Sequence, residues 1–273
     1  MKEKTTDFSL DNRPKTRLKQ FFDILIHRFV ELMKISFLQT VFNMPLIATL
    51  VSFYIFVRQA NSIDSLMTIF IITGILIFIS MISSFTGLTG SFYCLKKMIH
   101  AEGEYASSSF FLGLRSEWKR GMITGIIAGL SSALTVIGSF FFYYYLSQAD
   151  TTVSSFGIAI LIIQSIVVFM VGYYTIAQTI IYDSKYGYLL KNGFLFTLMR
   201  FHINILFFIL HPGILVVLIN IMDITMYISL PLLVFFVSIG HLIWMLNAIS
   251  AFDKYINKDN YPDYYKKGLY KEV

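Results

Sequence analysis

The chain has 273 residues, of which 56% are hydrophobic and only 14% are charged. Soluble domains average about 25% charged residues, so the composition excludes an ordinary water-soluble fold. The net charge of +6 does not point to nucleic acid, because the basic residues border long apolar runs. Attraction to anionic lipid, about 1 kcal/mol per basic residue near the surface, accounts for them without another partner.

Residues 1–17 form a hydrophilic N-terminal tail and lack the apolar core of a cleavable signal peptide. Over 18–34, Leu18, Phe21, Phe22, Leu25, Ile26, Phe29, Leu32 and Met33 recur at helical spacing, opposite Lys19, Gln20, Asp23, His27, Arg28, Glu31 and Lys34. This pattern predicts a helix lying along the inner membrane surface.

Six intervals then contain no Asp, Glu, Lys or Arg: 35–57, 65–95, 121–149, 151–182, 201–222 and 224–252. Each exceeds the roughly 20 residues a helix needs to cross a ~30 Å hydrocarbon core. With both termini in the cytoplasm, 21 of the 22 Lys and Arg fall inside or at its boundary. Only Arg58 lies outside, where the other charges are Asp64, Asp150 and Asp223. The division follows the positive-inside rule.

The expected fold is therefore all-α: a polytopic membrane protein with six transmembrane helices in 35–252 and a cytoplasmic tail at 253–273. Residues 1–273 read as a single membrane domain in a plasma membrane. Two further amphipathic segments precede the third and fifth spans, one around Phe110, Leu114 and Trp118 and one over 186–200. Three units of amphipathic segment plus hairpin thus begin near 18, 104 and 186. Internal triplication and plain hairpin topology both produce that spacing.

In the second span, Ser80, Ser83, Ser84, Gly87, Gly90 and Ser91 suit close approach of neighbouring helices. Aromatics from Phe140 to Tyr145, and Tyr182, Tyr186 and Tyr188, fall where interface anchors belong. The sole cysteine, Cys94, has no internal disulfide partner and reads as a small packing residue.

No span contains a carboxylate, lysine or central arginine, which weighs against a pump or symporter that uses an intramembrane carboxylate. Asn43, His211 and His241 lie roughly 10–14 Å inside the cytoplasmic boundary at 1.5 Å per residue. Arg200, Asn204 and His211 share one face of the fifth span, and Pro212-Gly213 should loosen it. Asn43, Asn204, His211 and His241 are thus the candidate intramembrane polar cluster. They either line a cytoplasm-facing cavity, as in a small transporter or channel, or form interhelical hydrogen bonds worth ~0.6 kcal/mol each. The second reading is the simpler.

No phosphate loop, metalloprotease motif, nucleophile elbow or paired intramembrane carboxylate is present in the sequence. No catalytic, cofactor-binding or metal-ligating residue is therefore expected, and no cofactor. In 101–120, Glu104-Tyr105-Ala106 is followed by glycine only at Gly113, too distant for the coupling loop of an ABC importer permease.

Residues 85–130 combine a small-residue helix end at Gly87 and Gly90 with Tyr93 to Lys97, Glu102 and Glu104. Phe110 and Phe111, Trp118-Lys119 and the glycines Gly121, Gly125 and Gly129 follow. This order resembles the YesL-like family of bacterial membrane proteins, a domain of unknown function. Pro45 after Phe42, Leu190-Lys191-Asn192 and the Tyr-rich basic tail from Asp253 are similar as well. The proline that family members carry in the second span is missing from 80–95. The family often stands beside carbohydrate importers, glycan-degrading enzymes or sensor kinases. The resemblance thus implies a non-catalytic accessory or regulatory role in carbohydrate uptake or sensing. Its partners would be the lipid bilayer and a carbohydrate ABC importer or sensor kinase, with the oligomeric state open.

Overall fold

Inside lipid, backbone groups find no water, so a long apolar run satisfies them internally as a helix. The structure, a computed structural model, describes residues 13–102, 106–146, 151–209 and 222–270, and among these there is no strand. The helices are α1 (Arg17–His27), α2 (Phe29–Gln59), α3 (Ile63–Ile99), α4 (Ala106–Phe141), α5 (Thr151–Ile181), α6 (Tyr186–Met199), α7 (Phe201–Phe208) and α8 (Met222–Phe252). π-Helical turns extend α4 over Phe142–Leu146 and α8 over Asp253–Asn257.

Five helices are long and apolar enough to cross a membrane: α2, α3, α4 with its extension, α5 and the stretch Phe236–Asn260. Their outward faces are greasy. Ile71, Ile75 and Ile79 stand exposed at four-residue spacing on α3, and Phe156, Ile160 and Ile163 at spacings of four and three on α5. Water would penalise such continuous apolar faces, whereas lipid does not. The expected span at 201–222 begins as α7, then leaves the described residues at 210–221 together with His211 and Pro212-Gly213.

Two of the three expected surface segments differ from expectation in their boundaries. The amphipathic stretch 18–34 is not one helix: α1 stops at His27, Arg28 takes φ −122° and ψ 29°, and residues from Phe29 onward are the first turns of α2. The Phe110–Trp118 segment is not separate but the start of α4. There Ser109, Phe110 and Gly113 are buried, so the segment lies within the bundle. The stretch 186–200 does form its own helix, α6, ended by a second break at Arg200.

α3 and α4 form the most intimate pair. Gly121, Gly125 and Gly129, one turn apart on α4, face the α3 backbone. A Cβ on Gly125 would stand 2.7 Å from Ile82 Cα and 2.8 Å from the Met81 carbonyl. One on Gly129 would stand 2.7 Å from the Phe78 carbonyl. Small residues give close helix approach where no hydrophobic effect drives association. Around this seam the core is aromatic: Phe85, Phe92, Tyr173, Tyr174, Phe196, Trp244 and Phe252 are all buried. Cys94 is buried there too and donates to the Ala106 carbonyl at 3.2 Å.

The start of α1, the end of α3 and the chain beyond α8 gather at one end of the bundle, rich in cations and here termed the basic end. Arg17 donates to Asp253 Oδ2 at 2.7 Å and to Gln20 Oε1 at 2.7 Å. Buried Gln20 donates to the Ile99 and Gly268 carbonyls at 2.7 and 3.2 Å. Lys267 pairs with Glu102 at 2.8 Å, and the Tyr270 amide donates to the Pro14 carbonyl at 3.1 Å. Residues 253–270 are thus a folded hook over the basic end. Gly268, at φ +80°, lies so close to the Ile99 carbonyl that a Cβ would collide with it.

Candidate functional site

Polar side chains in a low-dielectric interior must satisfy one another. Asn204, wholly buried on α7, does so from both ends of its amide. Its Oδ1 accepts from Tyr174 on α5 at 2.8 Å and from Asn247 on α8 at 3.0 Å. Its Nδ2 donates to the Phe196 and Thr197 carbonyls at 3.3 and 3.2 Å. Asn247 also donates to the Tyr174 hydroxyl at 3.0 Å, closing a triangle across three helices. Arg200 Nη1 donates to the Asn247 carbonyl at 2.8 Å, joining the helix break to that triangle.

Asn43 lies in a different network. Its Oδ1 accepts from Gln39 on its own helix at 3.2 Å and from Ser84 on α3 at 2.7 Å. Gln39 is buried and bridges onward, donating to the Ser84 carbonyl and accepting from Ser91 at 2.9 Å. His241 is in a third setting, buried with its ring against Phe92 and Tyr173, both centroids 5.9 Å away. His211 lies outside the described residues. Among the described members of the expected cluster, Asn43, Asn204 and His241 thus have separate partners.

Tyr174, Asn247 and Gln39 complete these networks and were not singled out from sequence. Asn247 and Gln39 carried a usable signal, being amides inside uncharged spans. Tyr174 carried none, since a tyrosine in an aromatic-rich helix looks like any other ring.

Beside the triangle, toward the basic end, lies an open cavity of about 360 Å³. Arg17, Leu18, Phe21 and Phe22 of α1 form one wall, Arg200, Ile203 and Phe207 the second, and Ile243, Leu246, Asn247 and Ser250 of α8 the third. Burial lowers the affinity of the Arg17 guanidinium for its proton, opposed by its bond to Asp253. Near it, His100 is buried with its ring 6.0 Å from that of Tyr264. Burial first, then the cations Lys267, Lys96 and Arg17, push its pKa down to about 4 against the pull of Glu102. Burial would raise the Glu102 carboxyl, but the bond from Lys267 and that residue's charge bring it below its ordinary range. The imidazole is therefore neutral at physiological pH.

Among the described residues, no three His, Cys, Asp or Glu side chains gather to hold a metal ion. No family model, curated protein or solved structure matches the chain, so the roles assigned to its residues rest on their own geometry.

Proposed function

We propose that the chain is a non-catalytic integral membrane protein, an accessory or regulatory component of carbohydrate uptake or sensing in a bacterial plasma membrane. The observation that carries the non-catalytic, structural part is the closed triangle of Tyr174, Asn204 and Asn247. Its hydrogen bonds run between helices, as expected of ties that fix a bundle. The carbohydrate link rests on the resemblance of residues 85–130 to the YesL-like family. The proposed topology is six spans with both termini cytoplasmic and Arg58 and Asp150 outside. Thiol labelling of single-cysteine variants in intact cells tests it, and external labelling at Lys97 or Lys258 would overturn it.

Co-purification in mild detergent should recover an importer subunit or a sensor kinase, and deletion should reduce sugar uptake. Recovery of the chain alone, with unchanged uptake, removes the reading. The cavity beside Arg200 favours one competing reading, a small transporter or channel open toward the basic end. Flux into proteoliposomes separates the two. Asn247→Leu discriminates further, since Asn247 both closes the triangle and lines the cavity. As a structural tie it should cost about 1–2 kcal/mol of stability, with uptake falling only in step with folded yield. As a lining residue it should abolish flux at normal yield.

A further inference from the structure

We propose that the cavity between α1, α7 and α8 binds one anionic phospholipid. The phosphate sits on the Arg200 guanidinium and an acyl chain lies between α7 and α8. The order of side chains along the walls gives the cavity a polar and an apolar end. Away from the basic end, α8 presents Ser250, then Asn247 and Leu246, then Ile243. Over those seven residues the wall deepens by roughly 10 Å. The second wall runs in the same sense from Arg200 through Ile203 to Phe207. A ligand must therefore be amphipathic, with its polar part toward the basic end.

Charge selects the sign of the head. Arg17, the other cation on the wall, is ion-paired with Asp253. Among the described residues no carboxylate pairs with Arg200, whose bond to the Asn247 carbonyl engages Nη1. The guanidinium fork suits a phosphate, which it binds in bidentate fashion through charge-assisted bonds. The rim selects the source of that phosphate. Of the residues that line it, Leu18 is 69% exposed and Phe22 51%. The cavity thus opens onto apolar surface that continues into lipid. A soluble phosphate would leave these walls bare, whereas a phospholipid covers them. The volume of about 360 Å³ falls in the range of small-ligand sites. This inference does not depend on the carbohydrate role, since unchanged sugar uptake would overturn that role and leave lipid binding untouched.

The test is native mass spectrometry of the full chain in mild detergent, titrated with phosphatidylglycerol or with diacylglycerol of the same acyl chains, which lacks the phosphate. Phosphatidylglycerol should bind about tenfold more tightly, the scale of one charge-assisted contact. Arg200→Gln should erase that preference, and Arg200→Lys should keep part of it. Should Arg200→Gln fail to fold, Leu18→Glu at the exposed rim should weaken phosphatidylglycerol alone by repulsion. Ile203→Trp, which fills the cavity, should weaken both lipids. Equal binding of the two lipids by the wild-type chain overturns the proposal. So does a preference unchanged in Arg200→Gln or Leu18→Glu. Displacement of phosphatidylglycerol by inorganic phosphate, or a dimer that closes the cavity, assigns the site to another occupant and also overturns it.

Discussion

The seam between α3 and α4 and the basic end hold the same bundle by different physics. Along the seam, glycines let one helix backbone rest on the other, and fit alone decides the outcome. At the basic end, segments far apart in the chain are tied by charged and amide side chains reaching for carbonyls and carboxylates. The difference follows the solvent. In hydrocarbon, close contact and dispersion are the available attraction. Near the aqueous boundary, polar groups are inexpensive to place and selective in what they bind. The seam should therefore respond to volume and ignore pH, whereas the basic end should respond to charge and pH.

The largest effect is expected at the seam. Gly125→Ala places a methyl against backbone that cannot yield, and should cost about 3 kcal/mol in thermal unfolding in detergent. Gly138→Ala sharpens the point, because its Cβ would meet only the tip of Leu161 at 2.7 Å. A side chain can turn away, so the cost there should stay below about 1 kcal/mol. Equal losses at the two glycines would break the account of the seam as backbone contact.

Next comes acid. The unfolded His100 imidazole takes up a proton near pH 6.5, but the folded one only near 4. Between these values the unfolded chain binds more protons, so stability is full above pH 6.5 and declines as pH falls toward 4. The loss should be roughly 2–3 kcal/mol, and His100→Gln should flatten the profile in that window. The Gly125 variant should keep the wild-type pH profile.

Asp253→Ala should cost about 2 kcal/mol. It strands a buried guanidinium, but Arg17 keeps its bonds to Gln20 and the Lys267 carbonyl, so the loss stays below that of a fully buried broken pair. Smallest is Lys267→Met. Lys267 and Glu102 are each about a third exposed, so removing their pair should cost under about 1 kcal/mol. High salt should hide even that difference.

The apolar spans were legible because a charge-free run of that length has few other stable fates. Helix junctions were harder. The apolar period passes unbroken through Arg28, with no glycine or proline to mark the stop of α1. Lys96 and Lys97 suggested that the second span ends before them. Yet α3 continues to Ile99, with Lys96 donating to the Ile180 carbonyl at 3.2 Å and Lys97 to Ser109 at 3.0 Å. Long lysine stems let a helix outlast its uncharged stretch. Of the triangle, Asn204 stood out because it shares a face with Arg200, but its partners on α5 and α8 depend on which helices become neighbours. The ties of α1 to the hook were the least legible. Arg17 and Asp253 are 236 residues apart, and no local pattern encodes a pairing at that range.

That separation has a consequence for biosynthesis. Chains are made N-terminus first, at roughly 5–20 residues per second. α1 is therefore made well before the hook that caps Arg17 and Gln20, with Asp253 following Arg17 by 236 residues. Until then both side chains have no Asp253 or Gly268 to reach, and the basic end stays open while the apolar helices enter the bilayer. Closure therefore waits for the hook to be made, and a chain cut short of it would keep its spans while leaving that end uncapped. The tie thus closes only on a chain that has been made past Gly268.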